Sequence, residues 1–439
     1  MTRSSMVVGL LLCCVAVTAS SATIVVDSTA DENESTTANG NCTLREAVLS
    51  ANGNVAVDSC TAGEADPVVD VITVPTGTFL LTIAETGDAS GGSLDLTEDV
   101  QLVGRGSYQT VIDADGGEVL QAAIEVPVGV TVEVSDLWVR GGHSGFYGIS
   151  NEGNTTLTGC RVARNNGKGI GNWGLMTVSQ STISRNYGAS SGSGVYNQGT
   201  FTIEDSTVTN NSGAGGGISS VGALYVIRTT VSRNDRMGIG GYGAMQILNS
   251  TISGNDAGSL TGGGIMIALD GSILINNSTI TENNAAYGSG LFVQPNAFAQ
   301  VQNTIIAGNT GSADCDVYGT LITTGGNIEG PGNSCGFNDP TDQVNVPVNN
   351  VALGPLLNHG GVTSVHGLLP ASIAIDTGVS AGPVLGCPGV DQRGKPRTDG
   401  FCDVGSIEVQ SGEDMTHLFV DSFESGTTDA WTETVPGSL

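Results

Sequence analysis

The sequence predicts an all-β fold: a single-stranded parallel β-helix, or solenoid, with a short N-terminal capping helix and a disulfide-pinned C-terminal cap. Three features point to it. A six-residue string recurs about every two dozen residues from position 136 onward, and a Gly–aliphatic pair and an alternating strand follow each recurrence. Glycine supplies 66 of 439 residues without the every-third spacing of collagen. Aromatics are only 5% while 39% of the chain is hydrophobic, which suits a narrow aliphatic core and excludes a disordered chain.

The hexads occupy residues 136–141, 160–165, 181–186, 206–211, 229–234, 250–255, 278–283 and 304–309, so their last positions are 24, 21, 25, 23, 21, 28 and 26 residues apart. That is one solenoid coil with small insertions. The second signature is Gly148-Ile149, Gly169-Ile170, Gly194-Val195, Gly217-Ile218, Gly238-Ile239, Gly264-Ile265 and Gly290-Leu291. The third strand alternates apolar residues, as in Met176 and Val178, Phe201 and Ile203, or Ile273 and Ile275. Period-2 alternation, β-branched residues and Gly/Asn corners indicate strands and not helices. Inward Ile, Val and Leu then stack, while Asn and Gly at the bends tolerate left-handed backbone. Residues 68–135 read as earlier, less regular coils, and Asp113 to Gly117 as an acidic turn lacking the later ligands of a calcium loop.

Residues 1–22 read as a secretory signal: Arg3, an apolar stretch over 6–17, and a small-residue cleavage site at Ala19 or Ala22. The apolar run is too short to span a bilayer, so the mature chain is expected to be secreted or at the surface of a bacterial cell. Export allows disulfides. Of nine cysteines, six fall into sequence-close pairs: Cys42 with Cys60, Cys315 with Cys335, and Cys387 with Cys402. Closing each loop contributes about 3 kcal/mol in the chain-entropy model. Cys160 fills the slot that holds Ser181, Ser206 and Ser250 in other coils, which makes it a small residue in a repeated slot. Zinc is the weaker reading of the cysteines, because no C-x-x-C occurs in the mature chain and the sequence has four histidines.

The coils, over 68–310, need caps at both ends to stop end-to-end association. Residues 23–67 form the N-terminal cap: Thr43 and Glu46 have capping-box spacing, starting a helix that stops near Asn52-Gly53, with a Cys42–Cys60 bridge holding it over the first coil. Arg45 and Glu46 read as an ion pair at the helix start. Residues 311–410 form the C-terminal block and 411–439 a tail whose Phe419, Phe423 and Trp431 read as a sorting element.

These residues carry a resemblance. Cys42-Thr43-Leu44-Arg45-Glu46-Ala47 resembles the C-S-L-R-E-A motif of bacterial exported proteins, with Thr43 in place of Ser. Residues 303–408 resemble the choice-of-anchor Q family through Asn303 to Asn309, Asp314-Cys315, Leu353 to Leu356, Gly360-Gly361, His366 to Pro370, Ala374 to Asp376, Asp391 to Gly394 and Cys402 to Gly405. The resemblance implies a right-handed parallel β-helix on an exported protein, in a family with varied surface anchors and no settled activity.

A charge of −29 excludes nucleic acid and anionic membranes as partners, which need Lys/Arg patches. Parallel β-helices include polyuronide-cleaving enzymes, so catalysis has to be sought in the residues. Asn-Thr-Asp and Asp-Asp pairs are missing, and His366-Gly367 lies in the C-terminal block. Lys168 and Lys395 sit in no lyase-like motif, and no Gly-x-Ser-x-Gly, Walker or dinucleotide fingerprint appears. No catalytic residue, cofactor or metal is expected. Among the basic residues of the middle coils, Arg164, Arg185 and Arg233 share one repeat position and are expected to form a ligand-binding ladder for an anionic polysaccharide. The expected function is that of an exported, non-catalytic surface, adhesion or glycan-binding protein, whose partner is an extracellular polysaccharide or cell-surface component. The alternative is a polysaccharide lyase or glycoside hydrolase acting on an acidic polysaccharide.

Overall fold

A computed structural model describes residues 21–415 except 34–37, 66, 85, 88, 116–121, 144, 189–191, 381–385, 398–400 and 414. The expected signal and tail therefore lie almost wholly outside the described residues. Among those described, the chain winds into a solenoid of three parallel sheets, each coil adding one strand to each. Sheet 1 has twelve strands, from Thr23–Val25 to Thr320–Thr323; sheet 2 has eleven, from Gly77–Leu80 to Ile328–Glu329; sheet 3 has ten, from Leu94–Asp95 to Cys315–Val317.

Register keeps like above like. Met176 lies between Thr155 and Phe201 in sheet 1, Ile183 between Val162 and Val208 in sheet 2, and Ile170 between Ile149 and Val195 in sheet 3. These inward rows are almost wholly buried and form one continuous core. The hexads supply the strands of sheet 2, the Gly–aliphatic pairs those of sheet 3, and the alternating runs those of sheet 1. The asparagine closing each hexad from Asn165 on stacks inside the corner between sheets 2 and 3. Its Nδ2 donates to the next asparagine's Oδ1 at 2.8 Å (Asn165 to Asn186), 2.9 Å (to Asn211) and 3.0 Å (to Asn234), and the series ends on Asp314. Each such bond contributes about 1 kcal/mol net, and leaving one unmade inside the corner costs more.

The coils extend further than the hexads mark. Thr23–Val25, in the segment read as N-terminal cap, already pairs with Asp70–Thr73, and past residue 310 each sheet gains another strand. Parallel pairing is made by backbone, so the end coils need no repeated side-chain signature. The helix Leu44–Gly53 begins at a Thr43/Glu46 capping box and buries Leu44, Ala47 and Val48 against the first coil. At the other end the C-terminal block folds back along sheet 2. Its contacts begin at Arg228 and Thr230, where Thr363 and Ser364 arrive, and run to Asn303, which holds Val379. Sheet 2 is therefore open over its earlier coils and covered over its later ones.

Candidate functional site

The open half of sheet 2 gathers basic side chains on an acidic protein. Trp138, on the strand Trp138–Arg140, lies flat in the sheet with its Nε1 donating to the Ala163 carbonyl at 3.1 Å. Over its ring sit three guanidiniums: Arg140 and Arg161 at 4.9 Å from the centroid and Arg164 at 5.4 Å. The ring quadrupole holds cations, contributing about 0.5–2 kcal/mol each. Arg161 also lies over Tyr108 at 5.0 Å and donates to its hydroxyl at 2.6 Å. Arg140 is neutralised by Asp113 at 2.7 Å, so the expected acidic turn acts as that arginine's partner. Arg164 and Arg185 are exposed, and among the described residues neither has a carboxylate within salt-bridge distance.

The expected ladder is thus a neighbouring pair plus an outlier. Arg164, Arg185 and Arg233 do share a corner, but Asn210 separates Arg185 from Arg233, and Glu282 follows two coils later. All of these residues have positive φ: 62°, 55°, 55°, 52° and 58° for Arg164, Arg185, Asn210, Arg233 and Glu282. Gly141, Gly254 and Gly308 take the same corner in other coils. A left-handed conformation costs a β-carbon-bearing residue about 1–2 kcal/mol, so arginine here is chosen against backbone preference. Arg228, at positive φ on the opposite edge of the sheet, is bound by Asp205 at 2.7 Å and Glu204 at 3.2 Å. Arg164 and Arg185 have no such use.

The three cysteine pairs are bonded as expected, Cys42–Cys60, Cys315–Cys335 and Cys387–Cys402, and the last ties two segments of the C-terminal block. Cys160 is free and buried, and burial pushes its thiol up to about 12, which leaves it unreactive at neutral pH. The expected Arg45–Glu46 pair is not formed. Arg45, fully buried, turns away from the helix start to Asp31 at 2.7 Å, while Glu46 is occupied by the capping box. Adjacent helical residues point in different directions, and a distant loop carboxylate is the nearer partner.

In the C-terminal block, His366 Nε2 lies 2.8 Å from Ser253 Oγ and its Nδ1 lies 2.7 Å from the Gly354 carbonyl. The spacing suits a nucleophile and base, but both side chains are 1% exposed, so the pair docks the block instead of meeting a substrate. Asp391, Arg393, Arg397 and Glu408 form a buried ion-pair lattice beneath that surface, with Arg393–Asp391 and Arg397–Glu408 each at 2.8 Å. No group of three or more His, Cys, Asp or Glu side chains among the described residues is placed to hold a metal ion. No helix of the described residues is long and apolar enough to cross a membrane.

Sequence reasoning missed Trp138 and Tyr108, which organise the arginines, since neither recurs with the coil period. It also missed a lysine–aromatic cluster on sheet 3: Lys168 with Tyr147, Trp173 and Tyr196.

Three parallel sheets around one aliphatic core define a parallel β-helix, here with basic side chains on an open face. In agreement, residues 171–334 match the family described as right handed beta helix region. Among solved structures the chain is similar to pectate lyase Pel9A, at 14% identity and a TM-score of 0.55, over 89% of this chain and 97% of that one. It is also similar to the A-module of the Azotobacter vinelandii mannuronan C-5 epimerase AlgE4, at 17% identity and a TM-score of 0.33, over 63% and 87%. At 14% identity the likeness to Pel9A is one of fold alone. No curated protein matches the sequence.

Proposed function

We propose that this is an exported, surface-acting β-helix that binds an acidic polysaccharide on the open half of sheet 2 and holds it without cleaving it. The observation that carries the reading is the pair of arginines, Arg164 and Arg185, left without carboxylates among the described residues on a chain with 43 acidic and 14 basic residues. Carboxylate or sulfate groups of a glycan would meet guanidiniums already set in place by Trp138 and by the rigid corner, so little ordering entropy is lost on binding. Three disulfides support an oxidising, extracytoplasmic compartment.

Membership of the choice-of-anchor Q group is part of the same reading. It is supported by the way its motif residues interlock: Asp391 and Arg393 pair, Gln392 bonds Thr230 and Thr363, and His366 meets Ser253. The test is a pull-down on immobilised acidic and neutral polysaccharides, with reducing ends and unsaturated uronates assayed alongside. The wild-type chain is expected to be retained by the acidic supports only, with no new ends, and Arg164→Ala/Arg185→Ala/Arg233→Ala to pass through. Retention of the triple variant overturns binding by the arginines; new ends overturn holding without cleavage.

A further inference from the structure

Across the corner from Arg164, sheet 3 presents a lysine that its surroundings do not explain. Lys168 is only 8% exposed, and no described residue forms an ion pair or hydrogen bond with its ammonium. Instead Nζ lies 4.9 Å from the Tyr147 ring centroid and 5.4 Å from that of Tyr196. Trp173 stands edge-on between the two rings, 5.2 Å from Tyr147 and 6.1 Å from Tyr196, and Gln198 Nε2 donates to the Tyr196 hydroxyl at 2.6 Å.

The cluster is built and not incidental. Gly171 is its floor, because a β-carbon there would lie 2.6 Å from Tyr147 Cε1 and 2.7 Å from Trp173 Cζ3. The lysine stem passes over Gly188, whose β-carbon would lie 3.3 Å from Lys168 Cγ. The ammonium tip still reaches solvent, while burial around the side chain lowers the lysine pKa from its ordinary value. The three rings remain part-exposed and offer apolar faces with polar tips, which suit the C–H faces and hydroxyls of a sugar.

We propose that Lys168, Tyr147, Trp173 and Tyr196 form a second subsite that takes one carboxylated sugar, its ring against the aromatics and its carboxylate on the Lys168 ammonium. The inference rests on the acidic-glycan reading but uses different residues on a different sheet.

Calorimetric titration of the full chain with a uronic-acid trimer and with its carboxyl-reduced counterpart tests it. Wild type is expected to bind the uronate trimer at least tenfold more tightly than the reduced one. Lys168→Met, which keeps the apolar stem, is expected to reduce that preference at least threefold, the arginine pair supplying what remains. Gly171→Ala, which displaces the rings and leaves the charge, is expected to weaken the uronate trimer at least tenfold; a thermal melt of each variant confirms folding. Equal uronate affinity in wild type and Lys168→Met overturns the subsite. So does equal affinity of wild type for the two trimers. A loss seen in Arg164→Gly/Arg185→Gly and not in Lys168→Met overturns this subsite and leaves the arginine pair standing; the reverse pattern overturns the arginine pair alone.

Discussion

Sheet 2 has two halves built from the same hexads, and they meet different fates. In the later coils the outward Thr and Ser hydroxyls are consumed by the C-terminal block. Thr230 donates to the Ser364 carbonyl at 2.6 Å, Thr251 to Gln392 Oε1 at 2.7 Å, and Thr279 accepts from the Ser406 amide at 3.1 Å. In the earlier coils Thr182, Thr207 and Thr209 occupy the same rows but stay part-exposed, and the neighbouring corner carries Arg164 and Arg185. A strand face with period-2 hydroxyls thus docks the block in the covered half and repeats, uncovered, in the open one. The covered half is satisfied by the chain itself; the open half presents the same polar rungs and adds unpaired cations. The block therefore covers one end of the face and leaves the other open.

The covered half has the most to lose. Arg393→Met leaves Asp391 buried without its cation, a loss of about 3–5 kcal/mol. The block is expected to undock, seen as protease cuts within 311–410 and new hydrogen exchange in the later strands of sheet 2, with the far-UV spectrum of the coils retained. Gln392→Ala is a milder cut. It removes the partner of Thr230, Thr251 and Thr363 together, and is expected to cost about 1–3 kcal/mol in thermal or denaturant unfolding of the block.

On the open half the expected signs separate. Arg164→Gly and Arg185→Gly relieve a left-handed conformation, so stability is expected to stay level or rise by up to about 1 kcal/mol per site in thermal unfolding, the gain limited by the entropy glycine brings to the unfolded chain. A fall in stability above that scale would mean that these arginines serve the fold.

A pH effect also belongs to the block. Burial raises Asp403 to about 6, so the folded chain binds that proton more tightly than the unfolded chain does. Asp403 therefore contributes stability at the acid end and loses it as pH rises through about 6. Burial lowers His366 from its ordinary 6.5, and its contribution runs the other way, falling as the pH drops below that value. Asp403→Asn isolates the first effect. The stability difference between wild type and variant is expected to move in the variant's favour as the pH rises from about 4 to about 7, measured by denaturant unfolding.

Most of the rod was legible because each coil repeats its neighbour. Ile183, Val208 and Val231 fall at the same hexad position, so the sequence alone aligns them as one row. The cap helix was legible through a local signal, the Thr43/Glu46 spacing. What escaped depends on contacts between non-equivalent positions. Arg45 finds Asp31 across a loop, and Trp138 collects guanidiniums from its own coil and the next. Tyr147, Trp173 and Tyr196 converge over Gly171 from three different rungs and corners. The face that the C-terminal block covers also has no periodic trace, since it is set by hydroxyls 113 to 162 residues away from their partners. The shared corner of Arg164, Arg185 and Arg233 was visible, but their standing as a pair and an outlier followed only from counting Asn210 as a rung.

The most direct test is calorimetric titration of a polymeric uronate into wild type and Arg164→Gly/Arg185→Gly at low and at high salt. Wild type is expected to bind with an affinity that weakens with salt, as exposed charge contacts do, and the variant at least tenfold more weakly with its melting temperature not reduced. Equal affinities in the two proteins, or wild-type binding indifferent to salt, would contradict a glycan held by the unpaired arginines.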